Sequence, residues 1–263
     1  MSEEILFEPA RDAMGATHAL GARAEVALED QRIILWDIDG TLVRATRYGL
    51  FRDYMGPMLE KVFGTCGRLP EMTVSGMTDL QIAIEALREH GFTAEQILAR
   101  VDDIRRCYIA EMERIASGNV AWQPLPGARA ALEAVAAHPR YLSSLLTGNI
   151  EPAARLKLRI AGLDQYFQLP GAFGDESHDR RELPALAAKR ISQHLGYEFA
   201  PHQFVIIGDT PNDIAAARHF GARVIAVATG RAHSADDLLP HAPDALLPNL
   251  ADTQRLIGTL DEL

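Results

Sequence analysis

Two aspartates, Asp37 and Asp39, close an apolar run that begins at Ile33, and Gly40, Thr41 and Leu42 follow them. Two later apolar runs also end in polar residues. The stretch YLSSLL leads into Thr147, Gly148 and Asn149, and FVII leads into Gly208, Asp209 and, four residues on, Asp213. If these ends converge, their carboxylates repel one another. An opposing cation must then hold them ionised, and an oxygen-rich site of this kind suits Mg²⁺. Such an ion would sit on two or three of Asp37, Asp39 and Asp209, leaving room for water and a phosphate oxygen. One aspartate can then attack an electrophile as a nucleophile, and the other, two residues away, can shuttle a proton. The metal and nearby donors would stabilise charge on a transferring phosphoryl group.

The surrounding elements decide whether the ends meet. Residues 32–37 read as a buried strand. Strand and helix signals alternate after residue 130: YLSSLLTGN, EPAARLKLRIAG, DRRELPALAAKRISQHLG, QFVIIGDTPND, DIAAARHFG, RVIAVAT and DALLP. Alternation of this kind implies parallel pairing through right-handed crossovers, hence a Rossmann-like open parallel α/β sheet. Ligands bind such sheets beyond the carboxyl ends of the strands, which parallel strands present on one edge. From Tyr48 to about Ala121 the pattern is helical instead. Ile97, Val101, Ile104, Tyr108, Met112 and Ile115 form one stripe, predicting a single long helix. TDLQIAIEALREHG predicts another, with Thr78 as N-cap and Gly91 as its stop. WQPLPGARA, at 122–130, marks a boundary. The expected organisation is an N-terminal extension (1–30, with a short helix near Ala19 to Leu28), an α/β core (31–46 and 122–263), and an all-α helical cap (47–121) inserted after the first strand.

The chain has 263 residues, 48% of them apolar and 24% charged, with a net charge of −10. That balance suits a folded globular protein and disfavours nucleic acid or an anionic membrane as partner. Cys66 and Cys107 follow no metal-ligand or disulfide pattern, no run is long enough to span a bilayer, and the acidic start lacks a signal-peptide core. A cytoplasmic location is expected. The nine histidines are scattered, and no phosphate-binding Walker loop, GxGxxG or GxSxG is present. Oligomeric state is not legible.

DIDGTL resembles the first motif of the haloacid dehalogenase superfamily, LLTGN the second and GDTPND the fourth. Their order, and the helical insert between the first two, are similar to the family's over roughly residues 32–250. The nearest subgroup resembles phosphoglycolate phosphatases. The resemblance implies a Mg²⁺-dependent phosphatase acting on a small-molecule phosphate ester. Asp37 would be the nucleophile. Asp39 would be the general acid and then the base, with its backbone carbonyl on the metal. Thr147 would bind phosphoryl oxygens, Asp209 would ligate the metal, and Asp213 would orient metal-bound water or the third-motif cation. Gly40, Thr41, Gly148 and Asn149 would border the substrate. The third motif departs from the family: the usual Lys-Pro is missing from GDESHDRRELPALAAK. Arg180 or Arg181 would serve there, with Arg180 slightly favoured, or else Lys189.

Plainer roles compete. Asp37 and Asp39 suit a turn before Gly40. Thr147 suits a strand-to-helix turn and Asn149 a helix N-cap. Thr210-Pro211-Asn212-Asp213 has the form of a capping box. Arg180 and Arg181 suit solvated positions on a helix. Arg44 and Arg47, beside the first motif, could clamp a second anion on the substrate or be solvated hinge charges. The turn SGMTDLQ, 75–81, could reach from the insert towards the site, with hinges near Thr46 and Pro124. Competing functions are a phosphomutase of the same architecture, a dehalogenase, a phospho-receiver domain, and a binding protein on a silent hydrolase fold. Gly-Thr-Leu after the first acids, and the length of the chain, separate it from receivers.

Overall fold

The structure is a computed structural model, and it describes residues 26–47, 49–117 and 121–263. The helix expected near Ala19 to Leu28 lies, up to residue 25, outside the described residues. Among the described residues a 3₁₀ turn (Leu28–Asp30) precedes β1 (Arg32–Trp36) and β2 (Val43–Ala45). Four helices follow: α1 (Arg52–Phe63), α2 (Asp79–Leu87), α3 (Ala94–Leu98) and α4 (Val101–Ala116). The remaining elements are β3 (Trp122–Pro124), α5 (Ala128–Ala137), β4 (Tyr141–Leu145), α6 (Glu151–Ala161), α7 (Leu183–Leu195), β5 (Phe204–Gly208), α8 (Pro211–Phe220), β6 (Arg223–Val227), α9 (Ala235–Leu238), β7 (Ala245–Leu247) and α10 (Thr253–Glu262).

The sheet runs β4-β1-β5-β6-β7, and every pairing in it is parallel. Strand side chains alternate between faces, and here both faces are covered. Ile34, Trp36, Val205 and Ile207 enter one core with α5, α6 and α10, whereas Ile33, Leu35, Phe204 and Ile206 enter the other with α7 and α8. Burial on both sides explains why these strands are continuously apolar and not alternating. The chain leaves β1 for β4 on one side and returns to β5 on the other. The β1 end therefore sits at the switch point where open sheets leave a crevice.

The helical insert departs from and returns to a two-stranded antiparallel ribbon, β2–β3, in which Arg44 lies opposite Gln123. Sequence reading did not show this ribbon, because three-residue strands carry no usable periodicity. The insert thus follows the first strand of the sheet by way of β2. The single long helix expected from Ile97 to Ile115 is corrected. Arg100, at φ −107 and ψ 16, breaks it into α3 and α4. Ile97 and Ile104 stay buried in one cluster across the break, so the apolar stripe survives it. Asp102 and Asp103 in the first turn of α4 mark the new N-terminus, where acids face the positive end of the helix dipole. The Thr78 hydroxyl caps α2 by accepting from Gln81 N, and Gly91, at φ +86, ends the following 3₁₀ turn.

Candidate active site

β1 delivers Asp37 to the floor of the crevice, where its N–H extends the β1–β5 ladder by donating to the Ile207 carbonyl at 3.0 Å. β5 delivers Asp209, and the first turn of α8 delivers Asp213. All three side chains are buried, and one carboxylate oxygen from each lies within 4.8 Å of the others. Burial lifts the Asp37 carboxyl to about 7, Arg180 opposes that rise, and Asp213 and Asp39 add to it. Burial, then Asp37 and Asp213, push Asp209 well above the usual carboxylate range. Three clustered acids facing one buried guanidinium leave excess negative charge in a dry site. Hard oxygen donors of this kind fit a divalent cation such as Mg²⁺.

The chain builds tightly around Asp209. The Thr41 hydroxyl donates to its Oδ1 at 3.2 Å. Gly40 has φ +91, and a Cβ there would stand 2.4 Å from Asp209 Oδ2; at Gly230 the distance would be 2.0 Å. Both glycines are therefore needed for the close approach of backbone to carboxylate. Gly230 lies in a loop after β6 that sequence reading missed. The same loop brings the Thr229 hydroxyl to the Gly40 carbonyl at 2.6 Å, and Arg44 Nη2 to the Thr229 carbonyl at 2.6 Å. The signal was available: Thr229-Gly230 is a fourth polar strand end on the same sheet edge.

Arg180 and Arg181 part company. Arg180 is buried, and its Nη2 donates to Asp37 Oδ1 at 2.8 Å and to Asp213 Oδ1 at 2.6 Å. Burial works against its charge, but Asp213 and Asp37 outweigh it and hold the guanidinium above the ordinary arginine range. Its buried Nε has no hydrogen-bond partner among the described residues. Arg181 is not brought to the site. It is exposed and held by Asp179, whose carboxylate also accepts from Arg181 N in the 3₁₀ turn before α7. Lys189 is exposed on α7. The capping box is present: Thr210 N donates to Asp213 Oδ2 at 3.0 Å and Asp213 N to Thr210 Oγ1 at 3.3 Å. Asp213 thus caps α8 with one oxygen and meets Arg180 with the other.

Asp39 stands apart from the three-acid cluster. Its Oδ2 accepts from Lys157 Nζ at 2.6 Å and from Asn149 Nδ2 at 2.7 Å. Sequence reading did not single out Lys157. The N-cap reading of Asn149 is corrected: the N-cap of α6 is Ile150, with no side-chain cap of its own, and the Ile150 N–H donates at 2.9 Å to Asp79 Oδ2, from the insert. Asn149 instead bonds Asp39, Lys157 and the buried Thr147 hydroxyl.

The turn 75–79 lies directly on this floor. Asp79 N donates to the Gly148 carbonyl at 2.7 Å, and Arg180 Nη1 to the Gly76 carbonyl at 3.3 Å. A Cβ on Gly148 would stand 2.3 Å from the Met77 carbonyl, so the second motif and the insert meet backbone to backbone. Farther out, Arg105 Nε on α4 donates to Asp175 Oδ2 at 2.6 Å. Beneath the insert is a cavity of about 330 Å³ bordered by Asp37, Asp39, Thr147, Lys157, Arg180 and Asp209. Arg44, Arg47 and Arg52 also line it, with Arg47 paired to Asp53. Burial lifts the Asp79 carboxyl to about 6 against the pull of Lys157.

The fold and site define an open parallel α/β enzyme whose acidic centre is roofed by a helical insert. The chain belongs to the haloacid dehalogenase-like hydrolase family, which residues 34–218 match. Among solved structures it is similar to a hydrolase from Pseudomonas syringae (22% identity, TM-score 0.63, covering 89% of this chain and 99% of that one). It is also similar to a predicted phosphoglycolate phosphatase from Haemophilus somnus (20%, 0.59, 87% and 98%). A third is CbbY from Rhodobacter sphaeroides in complex with phosphate (18%, 0.58, 84% and 96%). At these identities the likeness is one of fold. No curated protein matches the chain. No helix among the described residues is long and apolar enough to cross a membrane.

Proposed function

We propose that this chain is a Mg²⁺-dependent phosphatase that hydrolyses a small phosphate monoester through an aspartyl-phosphate on Asp37. The observation that carries the reading is the buried Arg180 bridge between Asp37 and Asp213, set among three acids that share one ligand volume. Asp37, Asp209 and Asp213, with the backbone carbonyl of Asp39, would hold the ion. When bound, it would keep these carboxylates ionised and neutralise charge on the phosphoryl oxygens.

The chain's own groups account for the rest. Arg180 aims Asp37 into the cavity and itself borders the space a phosphoryl group would fill. Thr147 and the Gly148 region border the same oxygens. Asp37 attacks phosphorus as the ester P–O bond breaks, and Asp39, facing the cavity, protonates the leaving oxygen. Asp39 then takes a proton from the water that frees Asp37. A cavity of about 330 Å³ suits a small ester, and Arg44 and Arg52 in its lining bring positive charge that complements one. We take residues 47–121 as a cap over a core of 31–46 and 122–263, joined by the β2–β3 ribbon. Closure of the cap would exclude water from the phosphoryl group.

A phosphate-release screen over small phosphate esters, with Mg²⁺ and with EDTA, tests the reading. Metal-dependent release that disappears in a folded Asp37→Asn variant is the expected result. Wild-type turnover in Asp37→Asn would refute the nucleophile, and transfer of phosphate between two positions of one sugar without release would identify a mutase.

A further inference from the structure

The buried positions of α6 are Ala153, Ala154, Lys157, Leu158 and Ala161, at helical spacing. Lys157 therefore belongs to the core-facing stripe, and its amine must find partners inside the protein. It finds two, Asp39 Oδ2 and Asn149 Oδ1, each at 2.6 Å. The Asn149 amide is locked in one orientation, since its Nδ2 donates to Asp39 Oδ2 at 2.7 Å and to Thr147 Oγ1 at 2.8 Å. Two donors thus converge on one oxygen of Asp39. The Asp39 side chain is 43% exposed and borders the cavity, and both side-chain hydrogen bonds it accepts fall on Oδ2, leaving Oδ1 for the reaction.

Packing alone does not account for this lysine. A methionine fills a similar volume, and replacing a buried ion pair with apolar groups is often neutral for stability. Asp39, being partly exposed, could also be solvated by water. What Lys157 adds is geometry: it fixes which oxygen of Asp39 faces the cavity. It also separates the duties of two buried cations, with Arg180 serving Asp37 and Asp213 and Lys157 serving Asp39.

We propose that Lys157 is a positioning residue that, with Asn149, clamps Asp39 by Oδ2 so that Oδ1 alone exchanges the proton with the leaving group. The proposal rests on the phosphatase reading. As the Asp37 Oδ–P bond forms and the ester P–O bond breaks, the proton on Asp39 Oδ1 passes to the leaving oxygen. When water attacks phosphorus and restores the Asp37 carboxylate, one water proton returns to Asp39 Oδ1.

An alkoxide leaving group needs that proton, whereas p-nitrophenolate departs without it. The test compares kcat/KM for a simple alkyl phosphate and for p-nitrophenyl phosphate, in wild type and in Lys157→Met, with Mg²⁺ present. The expected result is a fall of about 100-fold on the alkyl ester, the scale of general-acid catalysis, and only a few-fold on the aryl ester. Aryl turnover in the same sample certifies folding. Should Lys157→Met fail to fold, Lys157→Leu, which also removes the donor while keeping an apolar side chain in the stripe, carries the same ratio. Equal falls on both esters would mark a merely structural lysine and overturn the proposal, as would no fall on either. The alkyl ester is one the phosphate-release screen shows to be turned over, and a wild type that releases phosphate from no ester of that screen would instead overturn the phosphatase reading beneath it.

Discussion

One nitrogen of Arg180, Nη2, is shared by Asp37 and Asp213, at 2.8 and 2.6 Å, with all three groups buried. Its neighbour Arg181 makes an exposed pair with Asp179. Removing one member of a buried charge cluster leaves the others uncompensated and costs about 3–5 kcal/mol, whereas an exposed pair contributes about 1 kcal/mol or less. Arg180→Ala is therefore expected to lose both activity and several kcal/mol of stability in urea unfolding. Arg181→Ala should stay close to wild type in both. A silent Arg180→Ala would reject the assignment of the third-motif cation.

Asp209 and Asp213 should respond differently to neutralisation. Asp209 is surrounded by like charges that push its carboxyl well above the usual range. Asp209→Asn relieves that repulsion and should leave the metal-free protein as stable or more stable, while Mg²⁺ affinity drops. Asp213 caps α8 and binds Arg180. Asp213→Asn should cost on the order of 1 kcal/mol for the cap alone, together with activity. Calorimetric Mg²⁺ titration and urea unfolding of both variants check this; unchanged metal affinity in Asp209→Asn would remove it as a ligand.

The metal-free protein should lose stability as pH rises from weakly acidic to neutral. Asp37 at about 7 and Asp79 at about 6 both lie above their ordinary value of 3.8. An acid raised in the folded state binds its proton more tightly there than in the unfolded chain. Its stabilising contribution is complete below 3.8 and is lost as pH climbs through the folded value. Asp179, lowered to about 2 by Arg181, acts in the opposite direction and only at stronger acid. Urea midpoints in EDTA should therefore fall between about pH 5 and pH 7.5, and saturating Mg²⁺ should flatten that fall. A midpoint that rises across this interval in EDTA would contradict it.

Gly230 isolates a steric requirement. A Cβ there would meet Asp209 Oδ2 at 2.0 Å, whereas at Gly64, a helix C-cap with φ +79, a Cβ would meet nothing within 4 Å. Gly64→Ala is expected to cost stability of about 1 kcal/mol through backbone strain alone and to keep activity. Gly230→Ala should displace Asp209 and reduce Mg²⁺ affinity and turnover together. Normal metal binding in Gly230→Ala would show that the carboxylate tolerates a different seat.

Local chemistry made much of this protein legible in its sequence. The continuous apolar run before Asp37 marks a strand buried on both faces, and strand–helix alternation implies a parallel sheet whose polar ends share one edge. The Thr78 cap, the Gly91 stop and the Thr210–Asp213 capping box involve residues three or four apart or a single backbone conformation, so residue type and spacing suffice to read them. What lay beyond reach depends on contacts between distant segments. The β2–β3 ribbon is too short for periodicity and exists only because both ends of the insert return to one place. Asn149 has the residue type of an N-cap, yet the first amides of α6 are taken by acids from elsewhere, Ile150 N by Asp79 and Glu151 N by Asp175, and Asn149 bonds Asp39 instead. Arg180 and Arg181 are adjacent and alike, and only the path of the 3₁₀ turn sends one inward and the other to solvent. Lys157 meets Asp39 because α6 packs its buried stripe beside the end of β1. Sequence periodicity shows that a helix has a buried face, but the docking of that helix against the sheet decides which charge the face delivers, and to which acid.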